Sequence, residues 1–314
     1  MGRYLIRRLV QAIPVLLGAT FLIYVLTFWL PGDPIQAMAG EKKADPLVAA
    51  MLREKYHLND PFLAQYWNYI SNVFQGDFGE TFNGRKVLDL ITDAFPYTMN
   101  LAIVAFIIEA GVGVTAGVMA ALRRGKFLDQ LVLLSTLMVI SIPVFVTGFV
   151  LQLSLGVQLK NSWGIDFFAV SFNESDGLRA YILPAFVLAS ASLAYVARLT
   201  RTSLMETMRS DYVRTATAKG LPRRRVVVNH ALRNALIPII TFLGADLGSL
   251  MGGAVITERI FNIHGIGGLI AQSIHLQQGT VLVGVVTLLV LVYVVANLAV
   301  DLLYAVLDPR IRYA

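Results

Sequence analysis

The residues that most often carry chemistry are poorly placed for it in this chain. There is no cysteine among the 314 residues, which excludes disulfides, thiolate metal sites and thiol nucleophiles. His57, His230, His264 and His275 are scattered and form no H-E-x-x-H pair, the spacing that puts two imidazoles on one helix face to hold zinc. The serine elbow G-x-S-x-G is missing. Gly125-Lys126 is followed by Phe127, and no G-x-x-x-x-G-K-[ST] loop exists to cradle phosphates. The chain is therefore expected to be no enzyme and to bind no metal, ATP or other cofactor itself. Two sets of charged residues remain. One is the stretch YVRTATAKGLPRRRVVVNHALRNALIP, residues 212–238, with six Lys/Arg, one His and no acid. The other is the pair Glu109 and Asp246, each an isolated acid within a long apolar run.

The elements that must position these groups follow from composition. The chain is 56% hydrophobic and 15% charged, against about a quarter charged in soluble domains. A soluble fold of this length has no way to hide so much apolar surface, so lipid is the expected solvent. Six segments reach the roughly 20 residues that a spanning helix needs. They are Leu9 to Leu30, Thr98 to Leu122, Gln130 to Leu159, Tyr181 to Ala197, Leu236 to Thr257 and Thr280 to Val300. The third is too long for an upright helix and is expected to tilt or bend at Pro143. The first exceeds the 7–15-residue apolar core of a signal peptide, so it is read as an uncleaved helix.

Alternating the sides of these spans puts 17 of the 26 Lys and Arg on one side. Six of the other nine fall in the 66-residue segment 31–96, and segments that long cross largely regardless of charge. Lys160, Arg179 and Arg259 are the short-loop exceptions. Both termini and the 198–236 loop are thus expected in the cytoplasm, and the net charge of +6 signals orientation and anionic headgroups rather than nucleic acid. The expected organisation is a first span at 1–30, an extracytoplasmic region at 31–96 and a five-span core at 97–314. The 31–96 region is no linker: it contains Tyr56, Phe62, Tyr66, Trp67, Tyr69 and Phe74, and its apolar residues over 45–74 are spaced for helices that would form a small cap.

Orientation alone does not explain the detail of the basic loop. Ser210 or Asp211 can cap a helix running through Lys219, Gly220 suits the left-handed residue past its end, and Pro222 suits the first turn of a second, short helix. Arg223, Arg224 and Arg225 lead that helix, while Val227, Ala231 and Leu232 can turn toward protein. A helix–break–helix with a basic rim and a small apolar face reads as a docking element.

At these residues the chain resembles the membrane-spanning subunits of ABC-type importers, in the dipeptide/oligopeptide branch. Arg214-Thr215-Ala216-Thr217-Ala218-Lys219-Gly220 looks like that family's EAA loop, with Arg214 where the general loop has Glu. The run from Gly220 to Pro238 is longer than in sugar or phosphate permeases, as it is throughout the peptide branch. YLIRRLVQAIPVLLGATFLIY followed by PGDP at 31–34, AVITERIFNIHGIGGLI at 254–270 and NLAVDLLYAVLDPRIRY at 297–313 extend the likeness along the chain. His264 stands where proline is commoner, and LQQGT at 276–280 departs from the usual segment. The resemblance implies an all-α type I importer permease, the longer first subunit of a heterodimeric pair in the inner membrane. Its implied partners are a second permease, two cytoplasmic ATPases that carry ATP and Mg, and an extracytoplasmic peptide-binding protein. It implies ATPase coupling through Arg214, Thr215, Ala216, Lys219, Gly220, Leu221, Pro222, Arg223, Arg224 and Arg225.

Glu109 and Asp246 admit two roles. They line the translocation path near a substrate amine, or they lock two helices together, the role favoured by Gly113 and Gly117 beside one and Gly244, Gly248, Gly252 and Gly253 around the other. The competing functions are an ion-coupled secondary transporter using those two acids as proton sites, or an ABC permease for nickel, haem or glutathione.

Overall fold

A computed structural model describes residues 2–29, 46–55, 59–81 and 84–307. The PGDP motif at 31–34 and most of the 297–313 ending lie outside the described residues or side chains. The helices are α1 (Gly2–Phe28), α2 (Pro46–Lys55), α3 (Phe62–Phe74), α4 (Val87–Leu122), α5 (Phe127–Ser141), α6 (Val144–Trp163), α7 (Arg179–Thr207) and α8 (Asp211–Ala218). Arg223–Arg225, Val226–Leu232 and Arg233–Phe261 then follow with helical backbone at each junction and form one helix, α9. α10 (Ile266–His275) and α11 (Gly279–Leu307) complete the series. Among the described residues the only β pairing is an isolated bridge, Glu80 to Lys86.

Among the described residues, five helices are long and apolar enough to cross a membrane, or six if the bent pair α5–α6 counts as one span. That pair is the expected long third segment, but it turns through 106°, far beyond a tilt. The cause is local. Proline crowds the residue before it out of the helical region and has no N–H to give, and Ile142 (φ −98°, ψ 127°) and Pro143 (φ −57°, ψ 138°) are both extended.

The chain divides into two compact units, 1–98 with 264–314, and 99–263. In the first, α1 packs along α11, and α3 is pinned to both. Tyr24, Tyr66, Ile70 and Val283 form a buried cluster with Phe21, Phe28 and Phe62 around it. The Tyr66 hydroxyl donates to the Leu17 carbonyl oxygen (3.0 Å), and Tyr69 donates to Thr287 Oγ1 (2.7 Å). Burial pushes the Tyr69 phenol well above its ordinary value, so it stays a neutral donor. Helices thus occur at 46–55 and 62–74, the second holding Phe62, Tyr66, Trp67, Tyr69 and Phe74; Tyr56 lies outside the described residues.

In the second unit α7 is the centre, bordered by the end of α4 and by α5, α6 and α9. It is apolar on nearly all sides, as a helix surrounded by others must be, and Leu183, Val187, Val196 and Leu204 are fully enclosed. Small residues allow close approach. A Cβ on Gly113 would sit 2.9 Å from Val196 Cγ1, and one on Gly117 would meet Thr200 Cβ at 2.6 Å. The two glycines therefore serve helix packing, as their spacing implied. Lys160 and Arg179 both reach Asp166, at 3.0 and 3.3 Å. The Lys160 ammonium, then Arg179, holds the Asp166 carboxyl below the usual carboxylate range.

Candidate functional site

The basic stretch folds as a compact elbow after α7. Ser210 has the extended backbone of a helix N-cap (φ −69°, ψ 151°) but caps nothing with its side chain. Its hydroxyl instead donates backward to the Thr207 carbonyl oxygen (2.6 Å), closing the end of α7. Helix α8 ends as its sequence implied. Gly220 is left-handed (φ +77°), its N–H bonds Thr217 O at 3.0 Å, and the Leu221 N–H reaches back to Ala216 O at 3.4 Å. Pro222 lies one place earlier than expected, in extended conformation just ahead of α9, where its carbonyl accepts from Arg225 N–H (2.8 Å) and Val226 N–H (3.1 Å).

The second helix is not short. It runs from Arg223 through Phe261, so Arg223, Arg224 and Arg225 form the first turn of a long apolar helix. Between the two lies Val226–Leu232, wound wider than an α-helix, and such π-type turns concentrate at functional positions. A residue added to a helix turn rotates every later side chain, a change that hydrophobic periodicity does not reveal.

The elbow has a dry side and a wet side. Val213 and Ala216 of α8, Leu204 of α7 and Val226, Ala231 and Ala235 of α9 are buried together. Leu221 packs half-buried on that cluster, with Val118 and Ala121 from the end of α4. Val227 and Ala231 face inward as their spacing indicated; Leu232 is half-buried. Asn234 Nδ2 donates to the Tyr212 hydroxyl (2.9 Å), and Ser203 Oγ donates to the Ala235 carbonyl (2.8 Å), tying α8 and α7 to α9. Arg214, Thr215, Lys219, Gly220, Pro222, Arg223, Arg224 and Arg225 are all exposed. Of the ten residues expected from the sequence to couple to an ATPase, Ala216 and Leu221 are buried or half-buried on this cluster and the other eight form the exposed rim.

A clamp at the same end of the unit escaped the sequence reading. Arg201 of α7 contacts Asp129 of α5 through Nε (2.5 Å) and Nη2 (2.9 Å), and Asp129 Oδ2 also accepts from the Gly125 N–H (2.8 Å). Asp129 is buried, with a side chain only 4% exposed. The signal available was an acid placed just inside an apolar run, directly after Arg123, Arg124 and Lys126.

Glu109 and Asp246 come together across α4 and α9, within electrostatic reach of each other. Glu109 is fully enclosed, Asp246 half-buried, and apart from each other's carboxyls neither Glu109 oxygen nor Asp246 Oδ2 has a hydrogen-bond partner. Glu109 begins a second π-type turn, Glu109–Gly113. Gly248 is buried near Asp246, but Gly252 faces open space, so the glycine run is not uniformly a packing surface. Among the described residues no cluster of three or more His, Asp or Glu could hold a metal ion.

Comparison with known proteins gives this arrangement its context. The oligopeptide transport system permease protein AppB of Bacillus subtilis (strain 168) is 38% identical over the full length of both chains. The glutathione transport system permease protein GsiC of Escherichia coli (strain K12) is 37% identical over the full length of both. The di/tripeptide transport system permease protein DppB of Pseudomonas aeruginosa (strain UCBPP-PA14) is 37% identical over all of this chain and 99% of its own. Residues 1–102 match the N-terminal part of binding-protein-dependent transport system membrane components. Residues 113–313 match the main family, so this multi-pass chain of apolar helices belongs to the inner-membrane components of binding-protein-dependent transport systems.

Proposed function

We propose that this chain is one of two permease subunits of an ATP-driven importer of di- or oligopeptides. Its termini and the 207–225 elbow face the cytoplasm, where the elbow is held by an ATPase subunit. A second, homologous permease completes the path, two ATPases carry the ATP and Mg, and an extracytoplasmic binding protein delivers the peptide. Peptide cargo is supported by the oligopeptide and di/tripeptide names of two full-length relatives; the third name, glutathione, is itself a small γ-linked peptide. Family membership favours ATP-driven import over an ion-coupled carrier.

The observation that carries the coupling role is the elbow's construction: an exposed basic rim on a dry cluster contributed by α7, α8 and α9. A stroke delivered to a rim so braced moves helices, whereas a flexible loop would absorb it. Orientation is supported at two of the three exceptions to the charge rule, since Lys160 and Arg179 share Asp166, which offsets one of their two charges. Inserting two glycines after Lys219 tests the proposal. Uptake driven by ATP is expected to fail while the complex still assembles; uptake unchanged by the insertion contradicts it.

Glu109 is enclosed, which supports the helix-locking role for the carboxyl pair in this conformation. Asp246, half-buried, is the member able to meet a path.

A further inference from the structure

Helix α3 has no charged residue in its 13 positions, although it belongs to a region with nine acids and six bases. At about 100° per residue its circumference divides into three sectors. Phe62, Tyr66, Tyr69 and Ile70 meet α1 and α11. Ser71, Asn68 and Asn72 make a polar, exposed arc on the far side. Between them Leu63, Trp67 and Phe74 fall within about 40° of one another and are 68%, 63% and 86% exposed. Among the described residues of its unit, none covers this strip.

The depth of the helix says what does. Tyr66 bonds the carbonyl of Leu17, about 16 Å back along α1 from Phe28. Tyr69 bonds Thr287, about 12 Å along α11 from Gly279. Thus α3 lies beside the apolar lengths of two spanning helices, not beyond their ends. Trp29, exposed at the end of α1, packs on Phe62 with ring centroids 5.1 Å apart, and α1 itself presents exposed apolar residues at Leu22 and Leu26. A protein-facing sector, an aromatic apolar strip and a polar arc match three neighbours: protein, acyl chains and water.

We propose that α3 is an interfacial helix, with Leu63, Trp67 and Phe74 inserted among the acyl chains of the outer leaflet and Asn68, Ser71 and Asn72 at the headgroups. The choice of leaflet rests on the orientation proposed above; the lipid contact does not. Helix α3 is then held down by the bilayer as well as by α1 and α11, so that it forms a fixed platform at the membrane surface.

Tryptophan fluorescence tests this, because the sequence has only Trp29, Trp67 and Trp163. The full chain carrying Trp29→Phe and Trp163→Phe is placed in phosphatidylcholine/phosphatidylglycerol vesicles with brominated acyl chains. Trp67 emission is expected to be blue-shifted, quenched about twofold by the bromolipid, and insensitive to iodide. Adding Trp67→Phe with Asn68→Trp swings the indole about 100° into the polar arc, and the pattern should reverse. Iodide quenching of Trp67 without bromolipid quenching overturns the proposal. So does loss of bromolipid quenching in the assembled transporter, which would assign the strip to a protein partner. Sidedness is read separately, by labelling Asn68→Cys with an impermeant maleimide. Labelling only from the cell interior would sink the orientation while leaving the lipid contact standing.

Discussion

Arg201 grips Asp129 with two nitrogens, at 2.5 and 2.9 Å, and so joins the start of α5 to the last turns of α7, fewer than two turns before the elbow begins. Asp129 also accepts from the Gly125 N–H, at the left-handed residue of the α4–α5 turn (φ +74°). One carboxylate therefore fixes a turn, a helix start and the stretch of α7 that leads into the elbow.

Removing one partner strands a charge in a mostly dry site. Asp129→Ala is expected to destabilise the purified chain by roughly 2–4 kcal/mol, read as a lowered Tm in detergent. Asp129→Leu with Arg201→Met should recover most of that loss, because two apolar groups leave no charge behind. Equal destabilisation by the single and the double variant would contradict the clamp.

The turn at Gly220 makes a separable demand. Space is open around it, so a side chain there is strained only through its backbone (φ +77°). Gly220→Ala should cost about 1 kcal/mol and Gly220→Asn less, since asparagine tolerates the left-handed region. Thermal unfolding with ATP-driven uptake measured in parallel gives the order Gly, Asn, Ala.

Close packing of α4 on α7 makes the opposite demand at Gly117. Gly117→Ala drives a methyl into the Ala197 carbonyl and Thr200 Cβ and should cost about 1–3 kcal/mol. Gly18→Ala, on α1 with nothing within 4 Å, should be neutral or stabilising. A similar effect of both substitutions on Tm would mean that α4 and α7 are not in contact there.

At the carboxyl pair, Glu109→Gln keeps the volume, removes the ionisable group and places an amide donor opposite Asp246. The lock role gives an unchanged or higher Tm, by about 1 kcal/mol, with uptake retained. Uptake lost at unchanged Tm would place Glu109 on the translocation path.

How much of this could be read from the chain itself depends on the range of the interaction. Spans, the outer helices and the left-handed Gly220 are set by local patterns of apolar spacing and backbone freedom. Pro143 marked a bend, but its 106° magnitude depends on where α6 packs. The Asp129–Arg201 clamp joins residues 72 apart, the Glu109–Asp246 pair depends on how α4 meets α9, and α3 is defined by hydroxyl bonds to α1 and α11. None of these leaves a periodic trace. The basic turn at Arg223 was mistaken for a short helix because Pro222 and three arginines look like a separate element. The π-type turn at Val226–Leu232 instead carries the helix onward into apolar sequence.

The elbow's role as a handle is tested most directly by cross-linking from the rim. Because the chain has no cysteine, Arg224→Cys offers a single thiol. In the assembled transporter, a short bifunctional maleimide at that thiol is expected to capture an ATPase subunit and to arrest ATP-driven uptake. Labelling of the same thiol by an impermeant reagent from outside the cell, or capture of no ATPase in an active complex, would contradict the role.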